Sequence, residues 1–400
     1  MTNLDSIFNS FSENKIFNNK LVLQNNYSPE IIPHRDEQIK QIASILAPSL
    51  RGEKTSNLFV YGQTGTGKTL SVQFVRDELL KRSKDSDKIL KIEYINCKLK
   101  KVADTEYRIL AELVKKLGGE VPATGIPTGQ VYNKFIELLE KENQLIIIIL
   151  DEIDQAVKKI SDNFLYNLTR LNSELSKTQI GLVGISNDLN FLDSLDPRVR
   201  SSLSEEEIVF PPYNALQLQE ILNKRAEIAF RKNVMEEGVI AKCAAYAARE
   251  HGDARRALDL LRIAGELAER EGKEKVTLKH VDVANDKMDR DKLLDSIQCA
   301  PKQLQLVLYS IINLSENKNS EKIFTGDIYN LYQQFCQKTR TEILTQRRVS
   351  DLIAEADMMG IINASVISKG RHGRTREITP LIPPQIMQKA KQILLDALGL

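Results

Sequence analysis

The sequence predicts an α/β fold: a doubly wound parallel sheet of the phosphate-loop type, followed by a helical domain and a C-terminal winged-helix domain. Two observations predict the sheet, namely a glycine-rich loop between a strand pattern and a helix pattern, and an aliphatic run that ends in two carboxylates. A third observation, helical periodicity in most of the chain after residue 213, predicts the two C-terminal domains.

The glycine-rich loop, 62–69, reads Gly-Gln-Thr-Gly-Thr-Gly-Lys-Thr and fits the phosphate-loop pattern G-x-x-x-x-G-K-[ST]. Glycines let backbone N–H groups converge on one anion, because side chains would block its approach. Lys68 supplies a positive charge for the phosphates, and the Thr69 hydroxyl is a candidate Mg²⁺ ligand. The predicted nucleotide contacts here are Gly65, Thr66, Gly67, Lys68, Thr69 and Leu70. The chain is therefore predicted to bind ATP or ADP together with Mg²⁺.

Length and composition restrict the possible classes of protein. A chain of 400 residues predicts two or three domains, and its net charge of +2 favours no particular partner. The four cysteines are scattered without metal-ligand spacing, which is typical of thiols in a reducing compartment. The longest purely aliphatic run, 145–150, is too short to span a bilayer. We therefore expect a cytoplasmic protein that has no membrane partner.

The N-terminal part of the chain, before the phosphate loop, contains two features. Residues 1–26 are polar and rich in Asn, so we expect a mobile leader. Pro33, His34 and Arg35 then form a predicted turn before a helix that starts at Asp36. Such a turn is a candidate wall of the base pocket, and an ordinary packing segment is the alternative interpretation.

After the phosphate loop and its helix, the pattern indicates a strand at 88–96, a helix at 97–117 and another helix at 131–141. The residues between these two helices, 118–130, are rich in Gly, Pro and Thr. The core of the fold does not require such an excursion.

The aliphatic run, Leu145–Leu150, has no alternation and therefore predicts a parallel strand that is buried on both faces. Asp151 and Glu152 follow it, at the carboxyl edge where open α/β sheets bind their ligands. There Asp151 is expected to hold Mg²⁺, and Glu152 to orient and polarise the attacking water. Acidic residues after a strand can also cap a helix, but the upstream phosphate loop disfavours that interpretation.

The next strand pattern, 179–185, ends before Ser186 and Asn187. A polar side chain at this strand end can bond the γ-phosphate or the attacking water, although Asn is also a common turn former. A segment with Arg198 and Arg200 follows, and then a last strand pattern at 205–210 that Pro211 ends.

The helical domain is predicted from helix patterns at 215–230, 237–251, 254–270 and 278–294. Gly252 ends one of these helices and Asp253 caps the next, so Arg255 lies in a first helical turn. An arginine there opposes the helix dipole, which favours a role in reaching a phosphate over that of a surface residue in an ion pair.

The C-terminal domain shows helix patterns at 301–314, 325–338 and 345–359, followed by strand patterns at 361–368 and 375–380. Three helices and a hairpin are typical of a winged helix, whose third helix reads DNA bases. The candidate base contacts are Gln346, Arg347 and Arg348, and the candidate phosphate or minor-groove contacts in the wing are Lys369, Arg371, Arg374 and Arg376. A solvated basic hairpin and a protein-contact module are the alternatives.

These motifs, in this order, resemble those of the archaeal initiators of DNA replication, relatives of the eukaryotic origin-recognition complex, from about residue 27 to the C-terminus. The resemblance implies an AAA+ core at 27–212 with an insertion at about 97–132 that contacts DNA, a lid at 213–294 and a winged helix at 295–400. It also implies Walker A residues Lys68 and Thr69, Walker B residues Asp151 and Glu152, sensors Asn187 and Arg255, and nucleotide contacts from Tyr213 and Arg225.

One position departs from the pattern of many AAA+ relatives, which have a Ser-Arg pair after the first sensor. Ser201 and Ser202 stand at that place here, with Arg198 and Arg200 nearby. The resemblance favours Arg198 as the arginine that acts on a neighbouring subunit. Because Ser201 and Ser202 replace the Ser-Arg pair, an oligomer with efficient hydrolysis between subunits is less expected.

The function implied is that of a replication initiator that binds origin duplex DNA sequence-specifically, with slow ATP hydrolysis as a switch. Its expected partners are the replicative helicase and paralogous initiators on adjacent sites, and its expected location is the nucleoid. Two alternatives remain: a helicase loader with weak DNA specificity, and a transcriptional regulator whose nucleotide is structural.

Overall fold

The computed structural model describes residues 16–24, 27–84, 89–98, 105–122, 125–203, 205–317, 322–368 and 374–400. It divides into two compact units, Met1–Val281 and Asp282–Leu400. The boundary falls within one helix, Leu278–Cys299, which also contains the predicted border between lid and winged helix at 294–295.

The described part of the first unit contains a five-stranded parallel sheet with the strand order β2-β3-β4-β1-β5. Its strands are β1 (Asn57–Tyr61), β2 (Ile89–Asn96), β3 (Gln144–Asp151), β4 (Thr178–Ser186) and β5 (Glu205–Val209). All eight residues of β3 are buried, as its unbroken aliphatic sequence predicts for a strand with neighbours on both sides. The predicted parallel sheet is confirmed, and the carboxyl ends of β1, β3 and β4 meet at one edge.

Helices of the core surround this sheet: α1 (Asp36–Leu46), α2 (Lys68–Ser83), α3 (Glu106–Lys116), α4 (Thr128–Leu139), α5 (Ile153–Ile160), α6 (Asn163–Glu174) and α7 (Pro197–Leu203). The helical part comprises α8 (Ala215–Ala229), α9 (Val239–Arg249), α10 (Ala254–Arg270) and α11 (Leu278–Cys299). Local sequence sets several of these starts: Asn214 and Gln217 form a capping box at α8, and Asp253 caps α10.

The segment 16–24 corrects one prediction, since it packs against the helical part. Phe17 is buried with its ring 4.7 Å from that of Phe230, and the Lys20 ammonium lies 2.7 Å from the Glu266 carboxylate. Gly265 makes room for Phe17, because a Cβ there would lie 2.5 Å from the ring. The expectation of a mobile leader is therefore wrong for 16–24, while residues 1–15 lie outside the described residues.

The second unit has the arrangement predicted for a winged helix. Its elements after α11 are α12 (Lys302–Asn317), β6 (Ile323–Phe324), α13 (Thr325–Lys338), α14 (Gln346–Met358), β7 (Ile362–Ser368), β8 (Arg374–Pro380) and α15 (Pro384–Leu398). The strands form an antiparallel sheet in the order β6-β8-β7. The sequence did not predict β6 or α15, and α15 adds buried side chains such as Ala390 and Leu394 to this core.

Candidate nucleotide site and DNA-binding elements

Lys68 is the buried centre of the phosphate loop, which follows β1 and opens α2. Its ammonium donates to the carbonyl oxygens of Gly62 and Gln63, each at 2.7 Å, and to Asn187 Oδ1 at 2.9 Å. Its side chain is only 5% exposed, and this burial lowers the pKa of Lys68 to about 8, against the opposing effect of the Asp151 charge. The structure thus brings the predicted phosphate-binding lysine and the predicted first sensor into contact.

Asp151, at the end of β3, accepts three hydrogen bonds. Its Oδ2 accepts from the Thr69 hydroxyl at 3.0 Å and from the Tyr94 hydroxyl at 2.7 Å, and its Oδ1 accepts from the Glu152 N–H at 3.0 Å. Burial raises the pKa of Tyr94, and the neighbouring Asp151 charge raises it further. Tyr94 was not among the predicted site residues, because its contact depends on strand pairing rather than on a motif.

The pair of Thr69 and Asp151 suits Mg²⁺, because hydroxyl and carboxylate oxygens are the ligands that this cation prefers. Among the described residues, no group of three or more His, Cys, Asp or Glu side chains could hold a metal ion. A Mg²⁺ ion that arrives with a nucleotide needs only one or two carboxylates, since phosphate oxygens and water supply its other ligands.

Glu152, the candidate for water activation, lies at the start of α5 with a left-handed backbone, φ 55°. A residue other than glycine in this conformation costs about 1–3 kcal/mol, and such strain is common at functional sites. The carboxylate is partly exposed and lies 3.5 Å from the ammonium of Lys98.

The N-terminus of α10 lies directly against the phosphate loop. The Ala254 N–H donates to the Gly65 carbonyl oxygen at 3.2 Å, and a Cβ on Gly65 would be 1.7 Å from Asp253 Oδ1. That same oxygen accepts the N–H groups of Arg255 at 2.8 Å and Arg256 at 3.3 Å. Asp253 therefore both caps α10 and touches the loop.

Arg255, the predicted second sensor, has an exposed side chain beside this contact. Burial lowers the pKa of Lys68, and the positive charge of Arg255 lowers it further. Two neighbouring cations at the mouth of a phosphate loop favour a bound polyanion.

Arg35 connects the phosphate loop to the end of the sheet. Its side chain is 2% exposed and donates to the Thr66 carbonyl oxygen at 2.8 Å and to the Pro211 carbonyl oxygen at 2.6 Å. Its guanidinium lies 3.8 Å from the centre of the Tyr213 ring, and burial lowers the pKa of Arg35. Arg35 therefore connects the phosphate loop with the segment 211–213, which follows the sheet and precedes α8. A role of Arg35 in a base pocket stays a prediction.

Two further predicted nucleotide contacts, His34 and Arg225, have partners within the first unit. His34 follows Pro33 directly in the chain, and its Nε2 lies 2.9 Å from Glu220 Oε2 on α8. Arg225, also on α8, donates to the Val22 carbonyl oxygen at 3.2 Å and lies over the Tyr27 ring at 4.4 Å. These contacts link the N-terminal segment and its turn to α8.

Arg198 and Arg200 lie on α7 and each forms a local ion pair. Arg198 is 84% exposed and binds both carboxylate oxygens of Asp196 at 3.1 Å. Arg200 lies 2.7 Å from Asp193 Oδ1. The exposure of Arg198 is compatible with a role towards a neighbouring subunit, which stays a prediction.

The candidate DNA contacts in the second unit differ in their surroundings, where the structure describes them. Gln346, Arg347 and Arg348 are exposed in the first turn of α14, where Thr345 caps the helix. Arg376 on β8 instead donates to the Ser350 carbonyl oxygen of α14 at 2.7 Å. Lys369, Arg371 and the side chain of Arg374 lie outside the described residues.

Comparison with known proteins gives three domain matches: an AAA domain at residues 51–192, a Cdc6 AAA+ ATPase-type lid domain at 219–286, and a CDC6 C-terminal winged helix domain at 295–390. The chain is 52% identical over 386 residues to the ORC1-type DNA replication protein of Thermococcus onnurineus, covering 95% of this chain and 92% of that protein. It belongs to the family of ORC1-type DNA replication proteins. ORC1-type DNA replication protein 1 of Methanosarcina acetivorans is 49% identical over 395 residues, which cover 98% and 94% of the two chains.

Solved structures agree with this family membership. The Aeropyrum pernix ORC1 protein, whose structure is in complex with DNA, superimposes with a TM-score of 0.80 at 42% identity, covering 96% of this chain and 98% of that chain. Cdc6p from Pyrobaculum aerophilum has the same fold, with a TM-score of 0.60 at 20% identity over 96% and 99% of the chains. The predicted AAA+ core, lid and winged helix are confirmed. No helix in the described ranges is long and apolar enough to cross a membrane.

Proposed function

We propose that the chain is an ATP-dependent initiator of DNA replication that binds duplex origin DNA sequence-specifically. The winged helix and the insertion at 97–132 make the DNA contacts, and the bound protein helps to recruit the replicative helicase beside paralogous initiators in the cytoplasmic nucleoid. Membership of the ORC1-type family supports this role, as does the DNA bound to the similar Aeropyrum pernix ORC1 protein.

The contact between the phosphate loop and α10 carries the proposal of a nucleotide switch. The Ala254 N–H and the Asp253 carboxylate both meet Gly65, so phosphates at Lys68 would lie between core and lid. Loss of the γ-phosphate removes a charge that Lys68 and Arg255 share, which changes the free energy of lid closure. ATP hydrolysis would thereby change the state of the DNA-binding protein.

We assign the residues of this site separate roles in a slow hydrolysis of ATP to ADP and phosphate. Lys68 and the loop backbone bind the phosphates, Asn187 and Arg255 contact the γ-phosphate, and Glu152 orients the water. The remaining contacts proposed for the nucleotide come from Pro33, His34, Arg35, Tyr213 and Arg225, with Arg198 acting towards a neighbouring subunit. Mg²⁺, held by Thr69 and Asp151, would neutralise charge on the phosphates.

DNA binding is proposed to combine two kinds of contact. Gln346, Arg347 and Arg348 are exposed at the start of α14, and such side chains form bidentate hydrogen bonds with purine edges in the major groove. Lys369, Arg371 and Arg374 bind phosphates, and these contacts add affinity without sequence preference.

Selection of bound sequences from random duplex DNA tests the proposal, with ATP and with ADP and at two salt concentrations. A single enriched motif whose binding differs between nucleotides is the expected result. Absence of enrichment, with affinity that collapses as salt rises, would mean phosphate contact alone and would favour a helicase loader. Tight palindromic sites that ignore the nucleotide would favour a transcriptional regulator.

A further inference from the structure

Tyr94 shares one carboxylate oxygen of Asp151 with Thr69. The two hydroxyl groups donate to the same Oδ2, Tyr94 at 2.7 Å and Thr69 at 3.0 Å, while Oδ1 accepts the N–H of Glu152. Asp151 is 4% exposed, so these donors and not solvent fix the orientation of its carboxylate. An ionised carboxylate has about four acceptor positions, so three donors leave about one free.

Strand register explains how a residue on another strand reaches this carboxylate. Asn96 of β2 pairs with Asp151 of β3, and Tyr94 pairs with Ile149. Residues two apart on a strand face the same side of the sheet, so Tyr94 stands diagonally across from Asp151. Only a long side chain spans that diagonal, and the phenol of Tyr94 does so.

The two donors differ in whether they would also bind the metal ion. Thr69 Oγ1 is itself a candidate Mg²⁺ ligand, so its position depends on the metal and the nucleotide. Tyr94 lies on β2, outside the phosphate loop, and is not itself a candidate ligand of the metal or the nucleotide. Groups that orient a metal-binding carboxylate commonly change metal affinity or activity by about 10–100-fold when they are removed.

We propose that Tyr94 is a positioning residue for the Mg²⁺ site, which holds the Asp151 carboxylate in the orientation that the ion requires. This inference rests on the proposed nucleotide function and adds a residue from β2 to the site. Tyr94 touches neither nucleotide nor water in this role and acts only through Asp151.

The test compares ATP binding with and without Mg²⁺ in the full chain carrying Tyr94→Phe, using a fluorescent ATP analogue and no turnover. The Mg²⁺ concentration that gives half of the metal-dependent gain in affinity should rise about tenfold. Affinity in EDTA should stay within about twofold of the wild type, because the phosphate loop and Lys68 are unchanged. A merely structural role for the hydroxyl would lower both affinities together.

Tyr61→Phe is the matched control on the same sheet. The Tyr61 hydroxyl is buried at the end of β1 and has no hydrogen-bond partner among the described residues, so its removal should not change the Mg²⁺ dependence. A Tyr94→Phe protein with the wild-type Mg²⁺ requirement overturns the proposal, and so does an equal loss of affinity in EDTA. A wild-type protein that binds ATP equally well with and without Mg²⁺ would instead overturn the metal site of the proposed function itself.

Discussion

The nucleotide site and the candidate DNA-binding surface differ in how their charged side chains are held. Lys68, Arg35 and Asp151 are buried, and each forms several hydrogen bonds within the first unit. Arg347 and Arg348 are exposed at the start of α14, and Arg348 lies 3.8 Å from the Asp351 carboxylate of the same helix. Buried charges act strongly because little solvent screens them, whereas exposed charges are weakened by salt.

This difference indicates two ways of recognising phosphate. Hydrogen bonds within the loop and its surroundings hold these charges in fixed positions, which gives specificity for one geometry. The exposed long side chains in the first turn of α14 can adjust to base edges and backbone, at the cost of ordering them on binding. Changes in the first region should therefore act on a single step, and changes in the second should depend on DNA sequence and salt.

The largest effect is expected from Glu152→Gln. Loss of the group that activates water should lower ATP turnover by about 100-fold or more, because general-base catalysis contributes factors of that size. ATP affinity should change little, since the phosphate loop is untouched. Single-turnover hydrolysis and equilibrium binding separate the two quantities. Glu142→Gln, on an exposed residue near Lys91, is the control, and wild-type turnover in Glu152→Gln would refute the assignment.

Arg347→Ala tests base readout on the exposed surface. It should reduce discrimination at one base pair by about 1–3 kcal/mol and leave preferences at the other positions intact. The double variant Arg371→Ala/Arg374→Ala should instead weaken binding to all sequences and reduce the salt slope by about 2. Affinities for a panel of single-base variants at several salt concentrations measure both. Equal losses on every sequence for Arg347→Ala would contradict the predicted division.

Gly65→Ala tests the contact between loop and lid. Its φ of 69° costs about 1–2 kcal/mol for a residue with a Cβ. The added methyl would also meet Asp253 Oδ1, so ATP affinity should fall about tenfold or more, as calorimetry can measure.

A double-mutant cycle with Asp253→Ala shows whether this contact is responsible. Asp253→Ala alone should lower the free energy of unfolding by about 1 kcal/mol through loss of the helix cap. It also removes the carboxylate atoms that the methyl group added at Gly65 would meet. The double variant should therefore lose less affinity than the sum of the two single variants. Additive losses would mean that the lid is not in contact with Gly65 when ATP binds.

The smallest effect concerns pH. Burial lowers the pKa of Lys68 to about 8, so the free protein loses this charge as pH rises through that value. Bound phosphates favour the charged form, and ATP affinity should therefore fall about fivefold from pH 8 to pH 9, with proton uptake on binding. Calorimetry in two buffers of different ionisation enthalpy measures the uptake. Lys68→Arg should remove this pH dependence whatever its absolute affinity, because a guanidinium stays charged.

The parts of the molecule that local sequence determines were predicted well. The glycine pattern at 62–69 and the aliphatic β3 set the loop, the buried strand and the positions of Lys68 and Asp151. Asn187 was predicted to reach the phosphate site because the carboxyl ends of neighbouring parallel strands share an edge, and its contact with Lys68 agrees.

The contacts that depend on long-range pairing were not predicted. Tyr94 reaches Asp151 only through the register of β2 against β3, which no single-sequence pattern reveals. Arg35 bonds carbonyl oxygens of Thr66 and Pro211, and backbone acceptors leave no signature in the sequence. The short strand β6 is two residues long, too short for any periodicity to indicate it.

The packing of residues 16–24 on the helical part has a practical consequence for truncated versions of the chain. Deleting residues 1–26 as a dispensable leader would uncover Phe230 and the face of α10 around Gly265, which Phe17 now covers. Each large apolar side chain buried in this segment contributes about 1.5–3 kcal/mol. The shortened protein should therefore melt at a lower temperature and tend to aggregate through the uncovered lid face, while a deletion that ends at residue 15 retains the described segment.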